Sequence, residues 1–390
     1  MKKMPKLKIC HIITRMIIGG AQENTLLSVV GLIEKGHDVT LVTGPTSGPE
    51  GKLLYENYLV QKYNIKIVEI RSLARNINPL KDLKAYFNIK KYLKKNQFDV
   101  VHTHSSKAGI IGRYAAYTVK VPYIVHTIHG QAFHRNETKI KNFLYQRLEK
   151  WSAGKCNKIY AVAQAMIDQC IEKNIAKPDK YKLIYSGMDL GPFLKHSENT
   201  VLKQKLKIPE NSPVIGTVAR LFPLKGYDYL IDVVSKIVKQ IPELRVVIVG
   251  DGILKDELEK QISDLGVSEN FIFAGLINPN EIPEYINVMD VLLHLSLREG
   301  LPRAVVQALA SGKPAIGFNL DGTPEVIVNN KTGYIAESGD IDKVYEYTIK
   351  LLKNPELAKE LGRNGREFVK SKFDWHYMCD QLEDDYDKGQ

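Results

Sequence analysis

The stretch REGLPRAVVQALASGKPAIGFNLDGTPEVI, residues 298–327, contains a loop, a helix and a strand in that order. Pro302 suits the first turn of a helix, where its missing N–H costs nothing, and Gly312 suits the left-handed residue that ends a helix. The pattern predicts a helix from Leu301 to Ser311 and a buried strand after it. The free N–H groups at the start of this helix attract anions, and Gly300 lets a ligand approach the backbone.

Glu299 stands immediately before this expected anion site. A carboxylate is unfavourable for binding phosphate itself, but it accepts hydrogen bonds from hydroxyl groups that lie next to a phosphate. Nucleotide sugars combine a phosphate and hydroxyl groups in this way. A helix N-terminus with a surface glutamate is the alternative interpretation.

The same run resembles the signature of retaining glycosyltransferases of family 4, in which two glutamates lie eight positions apart. Glu299 matches the first glutamate, and Gln307 replaces the second. The resemblance implies the GT-B fold, which is α/β with two doubly wound Rossmann-like domains facing a cleft. It implies that Glu299 contacts hydroxyls of the donor sugar, that Gly300 and Leu301 bind the donor beside it, and that position 307 holds the ribose. Gln307 can still accept from one hydroxyl and donate to another.

Length and composition predict a soluble protein with two domains. A chain of 390 residues exceeds what one core usually fills, and it is 44% hydrophobic without a run of eighteen apolar residues. His11, Thr14 and Arg15 interrupt the apolar N-terminus, which argues against a signal peptide. The four cysteines show no metal-ligand spacing, so we expect free thiols in the reducing cytoplasm.

The resemblance also divides the chain into domains. It implies an acceptor-binding domain over residues 1–190, a connector over 191–212 and a nucleotide-sugar-binding domain over 213–372. A C-terminal helix over about 373–390 is expected to pack back on the first domain, with Trp375 and Tyr377 as its anchors.

Two strand-to-helix junctions in the first half are candidate ligand sites. Gly19 and Gly20 follow a predicted first strand and could admit a phosphate or a sugar ring, although a lone Gly-Gly also fits a tight turn. The run VPYIVHTIHG predicts a parallel strand that ends in histidines, at the sheet edge where ligands collect. His129 matches the family's strand-end histidine, which implies contact with the donor sugar near the reacting carbon. A structural hydrogen bond is the alternative for each histidine, and His102, His104 and His126 receive no role.

Arg220 and Lys225 flank a turn after the predicted strand Val214–Val218, and Gly226 precedes a helix. Two cations beside a helix N-terminus are typical of a diphosphate clamp, whereas solvated charges in a turn are the alternative. The resemblance implies that both residues bind the donor diphosphate, a role that other glycosyltransferases give to a metal. No metal or other cofactor is therefore expected. It also implies that the base docks on the backbone around Leu276.

Most of the positive charge lies in the first half. The net charge is +11, and residues 1–190 carry 31 Lys and Arg against 14 Asp and Glu. Within this half, LKDLKAYFNIKKYLKKNQF (residues 80–98) predicts a helix in which Leu80, Leu83, Phe87 and Leu93 lie near one face among many lysines. Such a helix can rest on anionic lipid. An amphipathic helix packed on the sheet with a solvated lysine face is the alternative.

The motifs together predict a glycosyltransferase that uses a nucleotide sugar. The resemblance implies that it is a retaining enzyme, that the donor is a UDP-sugar, and that the acceptor is a hydroxyl of a glycan or of a polyprenyl-diphosphate-linked sugar. Cell-surface polysaccharide synthesis is the expected process, at the inner face of the cell membrane. A sugar-nucleotide epimerase of the same fold and a transferase with a soluble acceptor remain alternatives. A nicotinamide dehydrogenase would need a complete glycine fingerprint, and a nucleic-acid binder would need a recognisable module. The sequence has neither.

Overall fold

The computed structural model describes residues 5–17, 19–46, 57–195 and 200–389. The chain divides into two compact units, one formed by residues up to Met188 together with those from Trp375, and one formed by Asp189–Asp374. The division after Met188 lies close to the expected boundary at residue 190. Residues 196–199 of the expected connector lie outside the described ranges.

The first unit has a parallel sheet of seven described strands in the order β3-β2-β1-β4-β5-β6-β7. Its strands are β1 (Lys8–Ile13), β2 (Asp38–Thr43), β3 (Lys66–Glu69), β4 (Val100–His104), β5 (Tyr123–Ile128), β6 (Lys158–Ala161) and β7 (Tyr181–Leu183). Its described helices are α1 (Gly20–Glu34), α2 (Tyr58–Lys62), α3 (Pro79–Asn96), α4 (Ser106–Thr118), α5 (Lys139–Ala153), α6 (Gln164–Glu172), the 3₁₀ turn Pro178–Lys180 and, at the C-terminus, a helix over Trp375–Lys388.

The strand order of this sheet reverses between β1 and β4, which are hydrogen-bonded neighbours. Ligands of open α/β sheets bind beyond the carboxyl ends of the strands at such a reversal. The strands β1, β4 and β5 are almost fully buried because helices cover both faces of the sheet. Side chains that follow these strands are therefore held on a rigid support.

The C-terminal helix Trp375–Lys388 packs closely against α1, where Gly31 of α1 faces Cys379 of the helix. A Cβ at Gly31 would lie 2.3 Å from Cys379 Sγ, so only glycine permits this approach. Trp375 is buried at the start of the helix, whereas Tyr377 is 50% exposed because it lies on the outer side of the helix, so the expectation that it is an anchor is wrong. Asp385 accepts hydrogen bonds from the hydroxyls of Tyr123 and Tyr160 at 2.8 and 2.5 Å. The helix thus completes the core of the first unit.

The second unit has a parallel sheet of six described strands in the order β10-β9-β8-β11-β12-β13. Its strands are β8 (Val214–Val218), β9 (Arg245–Val249), β10 (Phe271–Gly275), β11 (Val291–His294), β12 (Ala315–Phe318) and β13 (Gly333–Ala336). Its described helices are α7 (Thr200–Lys205), α8 (Tyr227–Ile237), α9 (Lys255–Asp264), α10 (Ile282–Asn287), α11 (Arg303–Ala310), α12 (Thr323–Val326), α13 (Ile341–Leu352) and α14 (Pro355–Lys372), with 3₁₀ turns at Ser268–Asn270 and Pro279–Glu281. The helix Trp375–Lys388 of the first unit follows as α15. The predicted α/β class with two doubly wound sheets is confirmed.

The helix expected over residues 301–311 is shorter than predicted. It begins at Arg303 because Pro302 has an extended ψ of 92° and stands at the N-cap instead of inside the first turn. Its end agrees with the prediction, since Gly312 has φ of 74°. The N–H of Gly312 bonds to the Leu309 carbonyl, and the N–H of Lys313 bonds to the Ala308 carbonyl, both at 2.9 Å. These two bonds are the Schellman arrangement.

Among the described helices, none combines the length and the apolar character that crossing a bilayer requires.

Candidate active site

The central contact of the second unit joins two loops that follow β8 and β11. Lys225 Nζ donates to Glu299 Oε1 at 2.5 Å, and the two side chains are 23% and 15% exposed. Both loops lie at the carboxyl edge of the sheet, where ligands bind in this architecture. The structure therefore brings together two residues that the sequence placed in separate motifs.

The loop after β8 is held against the end of β11 by an unusual backbone. Leu224 has φ of +69°, and its carbonyl oxygen accepts from the N–H of Leu297 at 2.8 Å. Gly226 has φ of +76°, and a Cβ there would lie 1.9 Å from the Leu295 carbonyl oxygen. Only glycine fits this position, which presents Lys225 to Glu299.

Glu299 is fixed through its backbone as well as its side chain. Its N–H donates to Asp321 Oδ2 at 2.8 Å, and His294 Nε2 lies 3.4 Å from Glu299 Oε1. Burial alone would raise the pKa of Glu299, but the charge of Lys225 and the contact with His294 hold it well below its usual range. The carboxylate is ionised at neutral pH and can only accept hydrogen bonds, so it can accept those that hydroxyl groups donate.

The other residues expected around the start of α11 differ in exposure. Leu301 is buried, whereas Gly300 and Gln307 are partly exposed. The side chain of Gln307 makes no hydrogen bond to any described residue. Its amide is therefore available to a ligand, and no hydrogen bond joins it to Glu299.

Arg220 lies on the exposed side of the loop after β8, with its guanidinium 5.1 Å from the centre of the Phe222 ring. The loop after β9 packs closely beneath it, since a Cβ at Gly250 would lie 2.0 Å from the Ala219 carbonyl oxygen. The N–H of Gly250 in turn donates to the carbonyl of Gly275, at the end of β10, and the next side chain, Leu276, is 61% exposed. The carboxyl ends of β8 and β10, on either side of β9, thus carry residues expected to bind the diphosphate and the base.

In the first unit His129 follows β5 and is partly exposed. Its Nε2 lies 3.0 Å from His104 Nδ1, and His104 Nε2 lies 2.9 Å from His11 Nδ1. The three strands β1, β4 and β5 each contribute one of these histidines. The predicted strand-end histidine is therefore the outermost member of a hydrogen-bonded row.

Gly19 and Gly20 stand where β1 leads into α1. The φ of Gly19 is 168°, an extended value that any residue adopts, so glycine is not required there by the backbone. A Cβ at Gly19 would lie 2.7 Å from Gln22 Oε1, at the end of a flexible side chain. A small movement of Gln22 would accommodate such a Cβ, so neither the backbone nor the packing requires glycine at position 19.

A cavity of about 250 Å³ adjoins His129 inside the first unit. Its lining includes Ser105, Gln131 and the ion pair between Arg113 and Glu149, whose Nη2 and Oε2 atoms are 2.8 Å apart. The cavity offers both donors and acceptors of hydrogen bonds.

One group of side chains in the described part of the chain has its donor atoms close enough for a metal ion, within 4.8 Å of one another. It consists of His11, His102 and His104. Both ring nitrogens of His102 bond to hydroxyls, those of Tyr386 and Thr127, each at 2.6 Å. Both nitrogens of His104 and one of His11 take part in the histidine row, so five of the six ring nitrogens of the group already have hydrogen-bond partners. The arrangement favours a hydrogen-bonded network over a metal site.

Sequence reasoning missed His294 and Asp321 as part of the site. Both stand at the carboxyl ends of strands, His294 in β11 and Asp321 after β12, and that position is the signal that could have identified them. Asp321 also has φ of +48°, which is uncommon for a residue other than glycine and often marks a functional loop.

Two family models together span most of the chain. The model described as Glycosyltransferase Family 4 matches residues 18–191, and the model described as Glycosyl transferases group 1 matches residues 198–368.

Curated relatives align over nearly the full length. The UDP-Gal:alpha-D-GlcNAc-diphosphoundecaprenol alpha-1,3-galactosyltransferase of Escherichia coli is 31% identical over 385 residues, which cover 98% of this chain and 97% of the relative. The capsular polysaccharide biosynthesis glycosyltransferase CapM of Staphylococcus aureus is 28% identical over 361 residues, which cover 91% of each chain.

Solved structures show the same fold. Anabaena Alr3699/HepE in complex with UDP has a TM-score of 0.81 at 21% identity and covers 97% of this chain and 99% of its own. The complex of that protein with UDP and glucose has a TM-score of 0.82 at 20% identity, covering 97% and 98%. The expected GT-B fold is confirmed, and the chain belongs to the group 1, family 4 glycosyltransferases and is a glycosyltransferase.

Proposed function

We propose that this glycosyltransferase moves a sugar from a UDP-sugar to a hydroxyl of a polyprenyl-diphosphate-linked sugar, with retention of the anomeric configuration, during surface polysaccharide synthesis. The contact between Lys225 and Glu299 is the observation that carries the proposal. In this proposal the Lys225 cation binds the diphosphate, and the neighbouring Glu299 carboxylate accepts hydrogen bonds from the sugar hydroxyls. These two groups recognise the two halves of a nucleotide sugar.

The residues of the second unit divide the work on the donor. Arg220 and Lys225 bind the diphosphate and stabilise the charge that develops on it as the glycosidic bond breaks. Glu299 accepts hydrogen bonds from hydroxyls of the transferred sugar, and Gln307 binds the ribose. The backbone around Leu276 receives the base.

His129 of the first unit contacts the donor sugar in this proposal, and Gly19 and Gly20 give the ligand access to the backbone. A retaining reaction without an enzymatic base needs another proton acceptor. An oxygen of the donor diphosphate takes the proton of the acceptor hydroxyl on the face that the leaving group vacates.

Two observations on related proteins support the choice of substrates. The E. coli relative is named for transfer from UDP-Gal to GlcNAc-diphosphoundecaprenol, and HepE was solved with UDP. A lipid diphosphate is strongly anionic, which suits an acceptor unit that is rich in lysine. The polar cavity beside His129 lies in the same unit.

Exposed apolar and basic residues on the first unit support the proposal that the protein binds an anionic membrane. Leu80, Leu83 and Phe87 of α3 are more than half exposed, whereas Leu93 is buried together with Ala85 and Ile89. The expectation that Leu93 shares the exposed face is therefore wrong, because the helix has two apolar sides and packs on the sheet with only one of them. At 100° per residue, the outer side also carries lysines, namely Lys84, Lys91 and Lys94.

Helix α5 adds a second exposed apolar face that the sequence analysis did not identify. Its exposed apolar residues recur at helical spacing and are Ile140, Phe143, Leu144, Leu148 and Trp151. Aromatic contacts connect it to α3, since the ring centre of Tyr114 in α4 lies 5.0 Å from that of Trp151 in a tilted pair and 5.1 Å from that of Tyr86 in a stacked pair. Apolar residues among basic ones fit a bilayer with anionic headgroups.

Vesicle co-sedimentation tests the membrane part. The protein should bind anionic but not neutral vesicles and should release them at high salt. Changing Lys90, Lys91, Lys94 and Lys95 to Glu, or Ile140 and Phe143 to Ser, should abolish binding. Val201→Ser, at an exposed apolar residue of the second unit, is the matched control and should bind normally. Absence of binding at low salt would refute this part and favour a soluble acceptor.

A donor screen by mass spectrometry tests the reaction. Release of UDP should depend on both a sugar donor and a polyprenyl-diphosphate-linked acceptor. UDP release that needs no acceptor, or conversion of the donor to its epimer, would contradict the proposal.

A further inference from the structure

The row His11–His104–His129 runs from the interior of the first unit to its surface. His11 and His104 are fully buried, and His129 is partly exposed. The contacts are direct, at 2.9 Å between His11 Nδ1 and His104 Nε2 and at 3.0 Å between His104 Nδ1 and His129 Nε2. Both nitrogens of His104 are therefore used, one toward each neighbour.

The two inner histidines are neutral at physiological pH. Burial lowers the pKa of His11 to about 3, and burial together with the neighbouring imidazoles lowers the pKa of His104 well below its usual value. A neutral imidazole has one N–H and one bare nitrogen. The protons of the row can thus be arranged in only two ways, with every N–H pointing outward or every N–H pointing inward.

The inner end of the row distinguishes these two arrangements. His11 Nε2 is buried and has no hydrogen-bond partner among the described residues. If the N–H groups pointed inward, this atom would carry a proton that donates to nothing, and orphaned buried N–H groups are rare. If they point outward, His11 Nε2 is only a bare nitrogen. The outward arrangement is favoured, with His11 donating to His104 and His104 donating to His129.

We propose that His104, supported by His11, is a positioning residue that holds His129 in the tautomer with its proton on Nδ1 and fixes the orientation of its ring. In this arrangement His129 Nε2 accepts from His104, and His129 Nδ1 is a donor. An N–H on a ring of fixed orientation suits a hydroxyl oxygen of a sugar. The consequence for catalysis rests on the proposed function of His129, whereas the tautomer itself does not.

The tautomer can be measured without any substrate. In protein labelled with ¹³C and ¹⁵N at histidine, NMR assigns the protonated ring nitrogen of each imidazole. We expect the proton of His129 on Nδ1. Finding it on Nε2 would overturn the proposal, and so would a stoichiometric metal ion bound to His104 in the purified protein.

Two variants of His104 separate positioning from packing. His104→Phe keeps a ring of similar size but cannot donate, so His129 should lose its tautomer preference. His104→Asn places an amide N–H near the position of Nδ1 and should restore it. His126→Asn is the matched control, because His126 is equally buried on β5 but bonds to Thr103 and not to the row. The control should leave the tautomer of His129 unchanged.

Kinetics complete the test. His104→Phe should lower kcat on the order of tenfold with little change in the donor KM, and His104→Asn should recover most of the loss. An unchanged kcat in a folded His104→Phe enzyme would overturn the positioning role. If the tautomers behave as expected but no UDP-sugar is turned over by the wild type, the proposed function fails while the tautomer assignment stands.

Discussion

Replacing Lys225 by methionine removes the cation beside Glu299 while keeping most of the side-chain volume. Breaking a fully buried ion pair in this way costs about 3–5 kcal/mol, because a charge is left without its partner. Lys225 is 23% exposed and Glu299 15%, so water reaches the remaining carboxylate. We therefore expect the free energy of unfolding to fall by about 2 kcal/mol.

Urea denaturation measures this effect, and two further variants interpret it. Combining Lys225→Met with Glu299→Gln removes both charges and should return the free energy of unfolding to within about 1 kcal/mol of the wild type. Lys236→Met is the control, since Lys236 forms an exposed ion pair with Asp342 and should cost less than about 0.5 kcal/mol.

Ligand binding shows whether the cation serves the diphosphate. Lys225→Met should weaken UDP binding on the order of a hundredfold, which is about 2.7 kcal/mol, while uridine binding changes little. The double variant should regain stability but not UDP affinity, and Arg220→Ala should behave similarly in binding. Equal losses for UDP and uridine would refute the diphosphate assignment. An unchanged stability of Lys225→Met would show that the ion pair does not form in solution.

Three further outcomes follow from particular contacts. Gly226→Ala should lower the free energy of unfolding in urea by more than about 2 kcal/mol, because the new Cβ meets the Leu295 carbonyl. Gly266→Ala is the control and should cost only about 1 kcal/mol, since Gly266 has a similar φ of +71° but lies in open space. Equal costs for the two variants would contradict the close approach at Gly226. Gln307→Ala should weaken donor binding in calorimetry by roughly 1–3 kcal/mol and Gln307→Glu should retain it, and an unaffected alanine variant would place the ribose elsewhere. Burial alone would raise the pKa of Asp385, but hydrogen bonds from a lysine and two tyrosines lower it below the value in the unfolded chain. The ionised Asp385 therefore stabilises the folded protein at neutral pH, and this contribution is lost as the pH falls below about 4. The difference in unfolding free energy between wild type and Asp385→Asn should shrink over that range, and a difference that grows there would contradict the lowered pKa.

Local elements of the fold followed from the sequence where short-range chemistry decides the structure. Strand β8 has the predicted bounds Val214–Val218, and Gly312 adopts the predicted left-handed conformation. The start of α11 differed because proline fits equally well at the N-cap and in the first turn, and only the surrounding loop selects between them. The prediction that Leu93 lies on the same face of α3 as Leu80, Leu83 and Phe87 was also wrong. Periodicity identifies the apolar positions of a helix, but it does not show which of them the sheet covers.

Contacts between distant segments could not be predicted. Lys225 and Glu299 are 74 residues apart, and their contact depends on the order of strands and on a strained loop at Leu224. The sequence likewise predicted a strand that ends at His129, but not that His129 belongs to one hydrogen-bonded row with His104 and His11. Such contacts depend on the register of three parallel strands, and the residue types alone do not specify it.

The product of the reaction tests the central claim most directly. The purified protein is incubated with a UDP-α-sugar and a polyprenyl-diphosphate-linked N-acetylglucosamine, and the mass and anomeric configuration of the product are determined by mass spectrometry and proton NMR. We predict an acceptor enlarged by one sugar in α-linkage, formed together with UDP and strongly reduced in the Lys225→Met variant. A β-linked product, or an acceptor left unchanged by every UDP-sugar, would contradict the account.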